Sequence, residues 1–342
     1  MKRIEFIAPN TAALCDTPKI EPQAGQVCVR MCYTAISAGT ERANLIGEEN
    51  VSGVRRTTPP GFPRMVGYSG SGFMESVGDG VTMVKPGDRV MTYWGKHSTW
   101  NTLDEKRVIP LPDNVRMDEA ALAFISSFPL AAVRKLRPEL GESCLVVGLG
   151  LLGLFAVQYA HLAGLMPVIA ADMNPARRSL ALELGADYAL DPRDEGYTEQ
   201  VRSLTGSKGA NTVVEVTGNG DALNQALLCA APLARVALLG CTRHPTTVDF
   251  YHDVHFPGVT LIGAHSMTRP DVESYPGNWT PADDCRAIIR YLAAGRVNYR
   301  RMISEIHAPQ EAPEVFRRLA FDREFPIGVL FDWSKLSTEG EV

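Results

Sequence analysis

The sequence predicts an α/β protein in which a β-rich segment is joined to a doubly wound parallel sheet. Short alternating or glycine-punctuated stretches dominate residues 1 to about 120. From Asp118 onward, apolar runs of strand length alternate with helical segments, which is the pattern of a parallel sheet with helical crossovers. A glycine-rich turn, Gly148–Gly153, directly follows the first of these apolar runs.

The composition is that of an ordinary globular protein. The chain has 342 residues, 45% of them hydrophobic, and 34 Lys+Arg against 39 Asp+Glu give a net charge of −5. This length suggests about two domains. A mildly acidic chain without a basic cluster does not suit nucleic acid or an anionic membrane surface. We therefore expect a small-molecule substrate.

The cysteine pattern and the start of the chain predict a cytoplasmic protein. The 7 cysteines are scattered and none forms a C-x-x-C pair, as expected for free thiols in a reducing compartment. Met1–Glu5 carries positive charge, but no apolar signal-peptide stretch follows it. The stretch from Cys144 to Ala171 has no charged residue, yet its glycines and Pro167 argue against a membrane helix.

Residues 1–123 are expected to form short twisted strands. Val27–Met31 alternates along the chain as a strand with one buried face does. Glycine-containing stretches at Gly67–Gly72 and Pro86–Val90 indicate turns and the strands that adjoin them. No helix of three turns is predicted before Asp118.

The next segment, residues 124–267, is expected to contain the parallel sheet. Helices are predicted between most of its strands, for example over Pro175–Leu184 and Ala222–Cys229. In residues 268–342 we expect a loop, a helix over Ala282–Ala294 and a final strand at Val329–Phe331. The predicted strands of the sheet are Cys144–Val147, Val168–Ala171, Tyr188–Leu190, Thr212–Val216, Val236–Leu239 and Val259–Ile262.

The Gly148–Gly153 turn carries the GxGxxG fingerprint in the expected context. An apolar strand precedes it, a helix starts at Leu151, and Asp172 ends the next strand. The glycines allow a tight turn and the close approach of a pyrophosphate, which the helix N-terminus binds. The Asp172 carboxylate accepts a hydrogen bond from a ribose 2′-hydroxyl and repels a 2′-phosphate, so NAD is favoured over NADP.

Arg177, on the helix after Asp172, is the feature that opposes this preference, because it is placed to reach a 2′-phosphate, to flank the adenine or to face solvent. Three further residues lie at the carboxyl side of the nucleotide fold or just before it, where such folds hold the nicotinamide. The predicted cofactor-binding residues are Gly148, Gly150, Leu151, Leu152, Gly153, Asp172, Arg177, Ser127, Thr217 and Gly240.

Together with this motif, the chain resembles the medium-chain dehydrogenase/reductase superfamily. The resemblance implies a GroES-like catalytic domain formed by residues 1–123 and 268–342, and a Rossmann domain over 124–267. It also implies homodimers that pair the last strand of the sheet, near Val259–Ile262. The motifs that carry it are PGDRV at Pro86–Val90, VIPLPD at Val108–Asp113, DEAA at Asp118–Ala121 and LELGAD at Leu182–Asp187.

Zinc members of that family bind the metal through residues that this chain replaces. By the resemblance, the ligand positions fall at Ala38, Tyr68 and Ala123, whose side chains are not those that hold zinc. The cysteine-rich loop of the structural zinc is missing between Val90 and Val108. The chain therefore resembles a zinc-free branch, and no zinc is expected.

Two shorter stretches are similar to particular branches of the family. Ile36–Arg42 is similar to a segment of bacteriochlorophyllide dehydrogenases. Ala264–Ser266, with Tyr275-Pro276 and Trp279, is similar to bacterial glycoside 3-dehydrogenases, which oxidise a sugar ring hydroxyl to a ketone. This second similarity implies a sugar or glycoside substrate.

Without zinc, a side chain must accept the proton of the hydroxyl group that is oxidised. The predicted catalytic residues are Thr40, Glu41, Tyr68 and His97. Each also has a structural interpretation. Thr40 suits a turn and Tyr68 fills the volume left by the metal. Glu41 suits an ion pair, and His97 suits a buried histidine with satisfied hydrogen bonds.

Aromatic faces and hydrogen-bonding groups suit a sugar ring, and the residues predicted to contact substrate are Tyr93, Trp94, His265 and Trp279. The sequence thus predicts an NAD-dependent, zinc-independent oxidoreductase acting on a secondary hydroxyl or ketone of a sugar or glycoside. Two alternatives stay open. One is an NAD(P)H reductase of quinones or enones, and the other is a nucleotide-sensing protein that has lost catalysis.

Overall fold

The structure, a computed structural model, describes residues 1–51 and 61–336. The chain divides into two compact units, Met1–Ile125 with Cys285–Val342, and Ser126–Asp284. The second unit therefore extends beyond the predicted segment 124–267. The reason is the loop after its last strand, in which Arg269 Nη1 donates to Ser127 Oγ at 2.9 Å.

The bounds of the regular elements follow, for the residues that the structure describes. The strands are β1 (Lys2–Ala8), β2 (Thr11–Asp16), β3 (Gln26–Ala35), β4 (Arg64–Met65), β5 (Ser69–Val77), β6 (Arg89–Tyr93), β7 (Trp100–Asp104), β8 (Val108–Pro110), β9 (Cys144–Val147), β10 (Val168–Ala171), β11 (Tyr188–Leu190), β12 (Ala210–Glu215), β13 (Ala230–Leu238), β14 (Thr260–Gly263), β15 (Glu305–His307) and β16 (Val329–Asp332). The α-helices are α1 (Ala38–Leu45), α2 (Met117–Ala120), α3 (Ala123–Leu136), α4 (Leu151–Leu162), α5 (Pro175–Glu183), α6 (Tyr197–Leu204), α7 (Gly220–Leu228), α8 (Pro281–Ala293) and α9 (Ala312–Phe321).

The first unit is β-rich, as predicted. Its larger sheet has the order β15-β16-β3-β5-β6-β8, with β7 also paired to β3, and β2-β1-β4 forms a smaller sheet. Phe6 and Phe316 meet edge to face in the buried core, with ring centroids 4.9 Å apart. Thr34 of β3 pairs with Gly70 of β5 in antiparallel register. The end of β3, which leads to α1, therefore lies at the same edge as Tyr68, just before β5.

The second unit contains the predicted parallel sheet, in the order β11-β10-β9-β12-β13-β14. The six predicted strands are confirmed. Cys144 of β9 pairs with Val168 of β10 on one side and with Thr212 of β12 on the other. Because the strand order reverses at β9, the carboxyl ends of β9 and β12 form the edge where doubly wound sheets bind ligands.

The uncharged stretch from Cys144 to Ala171 forms β9, α4 and β10 in succession. The helix within it, Leu151–Leu162, has 12 residues. Among the residues described, no helix combines the length and the apolar character needed to cross a membrane. The stretch owes its hydrophobicity to burial of the sheet on both faces.

The helix α1 was not predicted. It has 8 residues, no side chain caps its N-terminus, and its buried residues are Glu41, Ala43 and Leu45. A two-turn helix whose buried set includes a carboxylate has no apolar stripe for sequence analysis to detect. Its formation is what carries Glu41 into the interior of the first unit.

Candidate functional site

The glycine turn has the geometry that a dinucleotide requires. Gly148 has a φ of +91°, and a Cβ there would lie 2.8 Å from Thr217 Cγ2. A Cβ on Gly153 would overlap the carbonyl oxygen of Gly148. Gly150 has no heavy atom within 4 Å of its Cβ position and precedes the first residue of α4, Leu151. The backbone is therefore open at the N-terminus of α4, where Leu151 and Leu152 lie.

Asp172 is bonded to the glycine turn itself. Its Oδ2 accepts from Leu149 N at 2.7 Å, and its Oδ1 accepts from Asn174 N at 2.8 Å. The carboxylate thus fixes the turn after β9 against the turn after β10. Each oxygen has a further lone pair, so the group can still accept a ribose hydroxyl.

The two arginines after Asp172 differ in their surroundings. Arg178 Nη1 donates to the carbonyl oxygens of Asp172 and Met173, and it pairs with Asp191 Oδ2 at 2.9 Å. Arg193 shares the same carboxylate, and its hydrogen bonds keep the pKa of Asp191 well below the usual value. Arg178 is thus held within the protein, whereas the half-buried side chain of Arg177 makes no such ion pair in the part of the chain that is described.

Glu215, which sequence analysis missed, lies at the carboxyl edge of the sheet among three of the predicted cofactor-binding residues. These are Gly148, Thr217 and Gly240. Thr217 N and Thr217 Oγ1 both donate to Glu215 Oε1, the first at 2.6 Å. Thr217 in turn lies against Gly148, and Gly240 N donates to the Glu215 carbonyl oxygen at 2.8 Å. Glu215 is fully buried, and its burial raises the pKa of the carboxyl group. The only sequence signal for it is a charge at the end of an apolar run.

Ser127 and Trp279 belong to a buried cluster in the second unit. Ser127 Oγ accepts from Arg269, and the Arg134 guanidinium lies 3.7 Å from the centroid of the Trp279 ring. Arg134 also pairs with Asp284 at 2.9 Å, and burial raises the pKa of the Asp284 carboxyl to about 6. Ser127 is fully buried and Trp279 is half-buried.

His265 lies just after β14 and is exposed. Its Nδ1 accepts from Met267 N at 3.2 Å. Desolvation, followed by the positive charges of Arg243 and Lys135, lowers the pKa of the imidazole. The neutral form of His265 is therefore favoured.

In the first unit, two predicted catalytic residues bond to each other. His97 Nε2 lies 3.0 Å from Glu41 Oε2, and the side chains are 0% and 2% exposed. Glu41 Oε1 also accepts from Ser37 N at 3.0 Å. A buried carboxylate and imidazole in contact can hold a proton between them.

The other imidazole nitrogen is bonded as well. His97 Nδ1 lies 2.7 Å from Thr34 Oγ1, and Trp333 Nε1 donates to the same oxygen at 2.9 Å. Because Trp333 is the donor in its own bond, the Thr34 hydroxyl proton is available for His97 Nδ1. His97 then donates from Nε2 to Glu41.

Tyr68 lies in an aromatic cluster, and the residue before it, Gly67, packs against His97. Its ring centroid is 5.7 Å from that of Trp94 and 5.9 Å from that of Phe124. Trp94 N donates to Tyr68 O at 2.8 Å, and Trp94 has a φ of +58°, which is rare for a residue other than glycine. Strained residues of this kind concentrate at functional sites. Tyr93 stacks on Phe124 and is buried, and its hydroxyl donates to Lys106 O at 2.6 Å.

Thr40 differs in exposure from the positions that the resemblance matches to zinc ligands. Thr40 is exposed in the first turn of α1, which begins at Ala38. Ala123 is fully buried. Methyl groups at Ala38 and Ala123 and a phenol at Tyr68 do not fit a catalytic zinc. Within the described residues, no cluster of three or more His, Cys, Asp or Glu is arranged to hold a metal.

Comparison with known proteins identifies relatives among dehydrogenases. Residues 152–278 match the family model described as zinc-binding dehydrogenase. This segment contains none of the positions 38, 68 and 123. The chain is 30% identical over 277 residues to an L-threonine 3-dehydrogenase of Pyrococcus furiosus, which covers 72% of this chain and 77% of that protein.

A second relative matches over more of the chain. A D-guloside 3-dehydrogenase of Escherichia coli K12 is 25% identical over 335 residues, or 92% of this chain and 95% of that protein. Among solved structures, the 2R,3R-butanediol dehydrogenase of Bacillus subtilis has a similar fold, with a TM-score of 0.82 at 19% identity over 97% of this chain and 99% of that one.

Two single-methyl variants separate folding from cofactor binding. Gly150→Ala adds a methyl group where no heavy atom lies within 4 Å. Its melting temperature should stay within about 2 °C of wild type, while NADH affinity should fall by about tenfold or more because the methyl group obstructs the pyrophosphate. Gly153→Ala should instead lower the melting temperature, because its methyl group meets the Gly148 carbonyl. Unchanged NADH binding in Gly150→Ala would show that this turn does not contact the cofactor.

Proposed function

The chain belongs to the medium-chain dehydrogenase/reductase superfamily, and on that basis we propose that it is an NAD-linked, zinc-independent dehydrogenase of a sugar or glycoside. It transfers hydride between the nicotinamide and a secondary hydroxyl or ketone. The observation that carries this proposal is the similarity over 92% of the chain to a dehydrogenase that acts on position 3 of a guloside. A relative named for position 3 of threonine also favours a hydroxyl within a carbon chain or ring.

The open glycine turn and Asp172 support the choice of NAD. The carboxylate is bonded to the turn at Leu149 N, and a carboxylate at the end of this strand repels a 2′-phosphate. Arg178, the basic residue nearest to it in sequence apart from Arg177, is bonded to Asp191 and two carbonyl groups. The bound nicotinamide supplies the hydride acceptor.

The absence of zinc-binding side chains at Ala38, Tyr68 and Ala123 supports zinc independence. The proton of the substrate hydroxyl must then pass to the protein. Glu41 and His97 form a pair that can accept it, and Tyr68 orients the hydroxyl or relays its proton, because a phenol of pKa near 10 is a poor base at neutral pH. Thr40, in the first turn of the same helix as Glu41, is the exposed hydroxyl of this group.

Tyr93, Trp94, His265 and Trp279 complete the proposal as substrate contacts. Trp94 is the strongest of them, since its backbone is held at a φ of +58° beside Tyr68. A neutral His265 can exchange hydrogen bonds with a hydroxyl group as donor or acceptor.

We also propose a homodimer formed through β14. This strand pairs with β13 and lies at the end of the six-stranded sheet. The short π-helix that precedes it, Phe250–His255, exposes Phe250 and Tyr251, and Phe256 is 80% exposed. An open strand edge beside exposed aromatic side chains suits pairing with a second copy. The cytoplasmic location stays a prediction.

Cofactor choice tests the role of Asp172. We expect the dissociation constant for NADH to be at least about tenfold lower than that for NADPH. Asp172→Ser should bring these two dissociation constants closer together. Asp187→Ser is a matched control, because Asp187 accepts from Val168 N at the opposite end of β10. Equal affinities of the wild type for the two cofactors would contradict the assignment.

Elemental analysis tests zinc independence. The purified protein should contain no stoichiometric zinc, and a chelator should leave its activity unchanged. About one zinc per chain, lost together with activity on chelation, would show that the metal is bound by other residues.

Turnover on glycosides and quinones tests the reaction. Tyr68→Phe and Glu41→Gln should each lower turnover on a glycoside by at least about tenfold, with NADH affinity near wild type, and His97→Ala should do the same if it folds. Tyr188→Phe, which removes the hydroxyl of a 44% exposed tyrosine, is the control.

Full activity in all the catalytic variants would exclude this mechanism. A wild type that reduces quinones and ignores every sugar would support the reductase alternative. A wild type that binds NADH but turns over neither class would support the nucleotide-sensing alternative.

A further inference from the structure

Glu215 is a buried carboxylate that the proposed chemistry does not use. It ends β12, it is 0% exposed, and it forms no ion pair with the residues that the structure describes. Burial of a carboxylate without a cationic partner is costly unless several hydrogen bonds offset it. The position of these hydrogen bonds indicates what the carboxylate does.

The groups bonded to Glu215 come from one short turn. Oε1 accepts from Thr217 N at 2.6 Å, from Gly218 N at 3.2 Å and from the Thr217 hydroxyl. Oε2 lies 3.4 Å from Gly218 N. Three donors therefore converge on one carboxylate oxygen, and all of them are neutral.

The backbone of Glu215 joins this turn to the next strand. Its carbonyl oxygen accepts from Leu239 N at 2.9 Å and from Gly240 N at 2.8 Å. A Cβ on Gly240 would lie 2.8 Å from Glu215 Oε2. The carboxylate is thus enclosed between the ends of β12 and β13.

The turn that Glu215 holds rests on the glycine motif. Thr217 Cγ2 lies 2.8 Å from the Cβ position of Gly148. Thr217 is itself exposed. A shift of this turn would therefore change the surface beside Gly148, at the edge where the strand order reverses.

We propose that Glu215 is a positioning residue of the dinucleotide site, whose carboxylate holds the Thr217–Gly218 turn against Gly148 and thereby sets the affinity for a nicotinamide dinucleotide. This inference rests on the proposed cofactor. It assigns to Glu215 no contact with substrate and no transfer of a proton.

The choice of a carboxylate has two consequences. An ionised carboxylate accepts from the surrounding donors with a negative charge, whereas a glutamine amide would accept with one uncharged oxygen and would place an NH2 group beside Gly218 N, which lies 3.4 Å from Oε2. The carboxylate of Glu215 also places a negative charge next to the proposed dinucleotide site. Because NAD⁺ carries one more positive charge than NADH, that charge favours the oxidised cofactor.

The test is direct binding. Dissociation constants for NADH, by fluorescence, and for NAD⁺, by competition with NADH, are measured together with melting temperatures. The variants are Glu215→Gln, Thr217→Val, which keeps the shape and removes the hydroxyl, and Thr217→Ser, which keeps the hydroxyl. Glu142→Gln is the matched control, because Glu142 pairs with Arg235 and precedes β9, at the opposite edge of the same sheet.

Replacing a charged acceptor by a neutral one weakens the hydrogen bonds that hold the turn, which predicts a rise of about tenfold in the NADH dissociation constant of Glu215→Gln. The rise for NAD⁺ should be larger still. Thr217→Val should weaken binding more than Thr217→Ser does, and Glu142→Gln should bind both cofactors as the wild type does. A role limited to stability would lower the melting temperature and leave both dissociation constants at their wild-type values.

Two results would overturn the inference. One is wild-type affinity for both cofactors in Glu215→Gln. The other is an equal loss of affinity in Glu215→Gln and Glu142→Gln. If Glu215→Gln does not fold, the NADH affinities of Thr217→Val and Thr217→Ser decide the question. Equal affinities would exclude a role for the hydrogen bond from the Thr217 hydroxyl to Glu215. Failure of the wild type to bind any nicotinamide dinucleotide would instead refute the proposed function.

Discussion

Hydrogen bonds between neighbouring strand ends are the interaction on which the proposed dinucleotide site depends. Parallel strands end at one edge of a sheet, and the turns after β9, β10 and β12 therefore lie side by side. Asp172 accepts from Leu149 N, which joins the turns after β10 and β9. Glu215 fixes the turn after β12, where Thr217 packs on Gly148. No single loop builds this surface, so its shape follows from the strand order.

The sequence was sufficient to predict the strand boundaries of most of the parallel sheet, but it predicted the irregular parts less well. β9, β10 and β11 begin and end at the predicted residues, and α4 begins at the predicted Leu151. Short apolar runs that end at glycine, proline or a charged residue leave little choice of boundary. β13 begins at Ala230, six residues before the predicted start at Val236. Its first half contains Pro232, and Leu233 has a φ of +65°. A proline next to a residue with a left-handed backbone interrupts the period-two alternation by which a strand is predicted.

The candidate catalytic residues show a different limit. Glu41 and His97 were each identified from local sequence, but their contact joins residues 56 positions apart and requires the unpredicted helix α1. Thr34 and Trp333 bond on the other side of the imidazole across 299 positions, and neither carries a motif. The chemical type of a residue can be recognised in a sequence. The partner of a buried residue, in contrast, depends on which distant segments the sheets bring together. The adjacent Tyr93 and Trp94 also differ in burial, because β6 ends at Tyr93 and the backbone at Trp94 is left-handed.

Glu41 and Glu215 are both buried, and their partners give them different chemical capacities. Glu41 faces an imidazole, a group that can both give and take a proton, so a proton can move within the pair without leaving the interior. Among the residues described, the Glu215 carboxylate contacts N–H and O–H donors, which stabilise its charge and offer no site to receive a proton from it. Desolvation opposes the charge in either case. The first arrangement is therefore suited to proton transfer, and the second to a fixed charge and a fixed backbone. A carboxylate's role in this chain follows from the donors and acceptors around it, since burial alone is common to both.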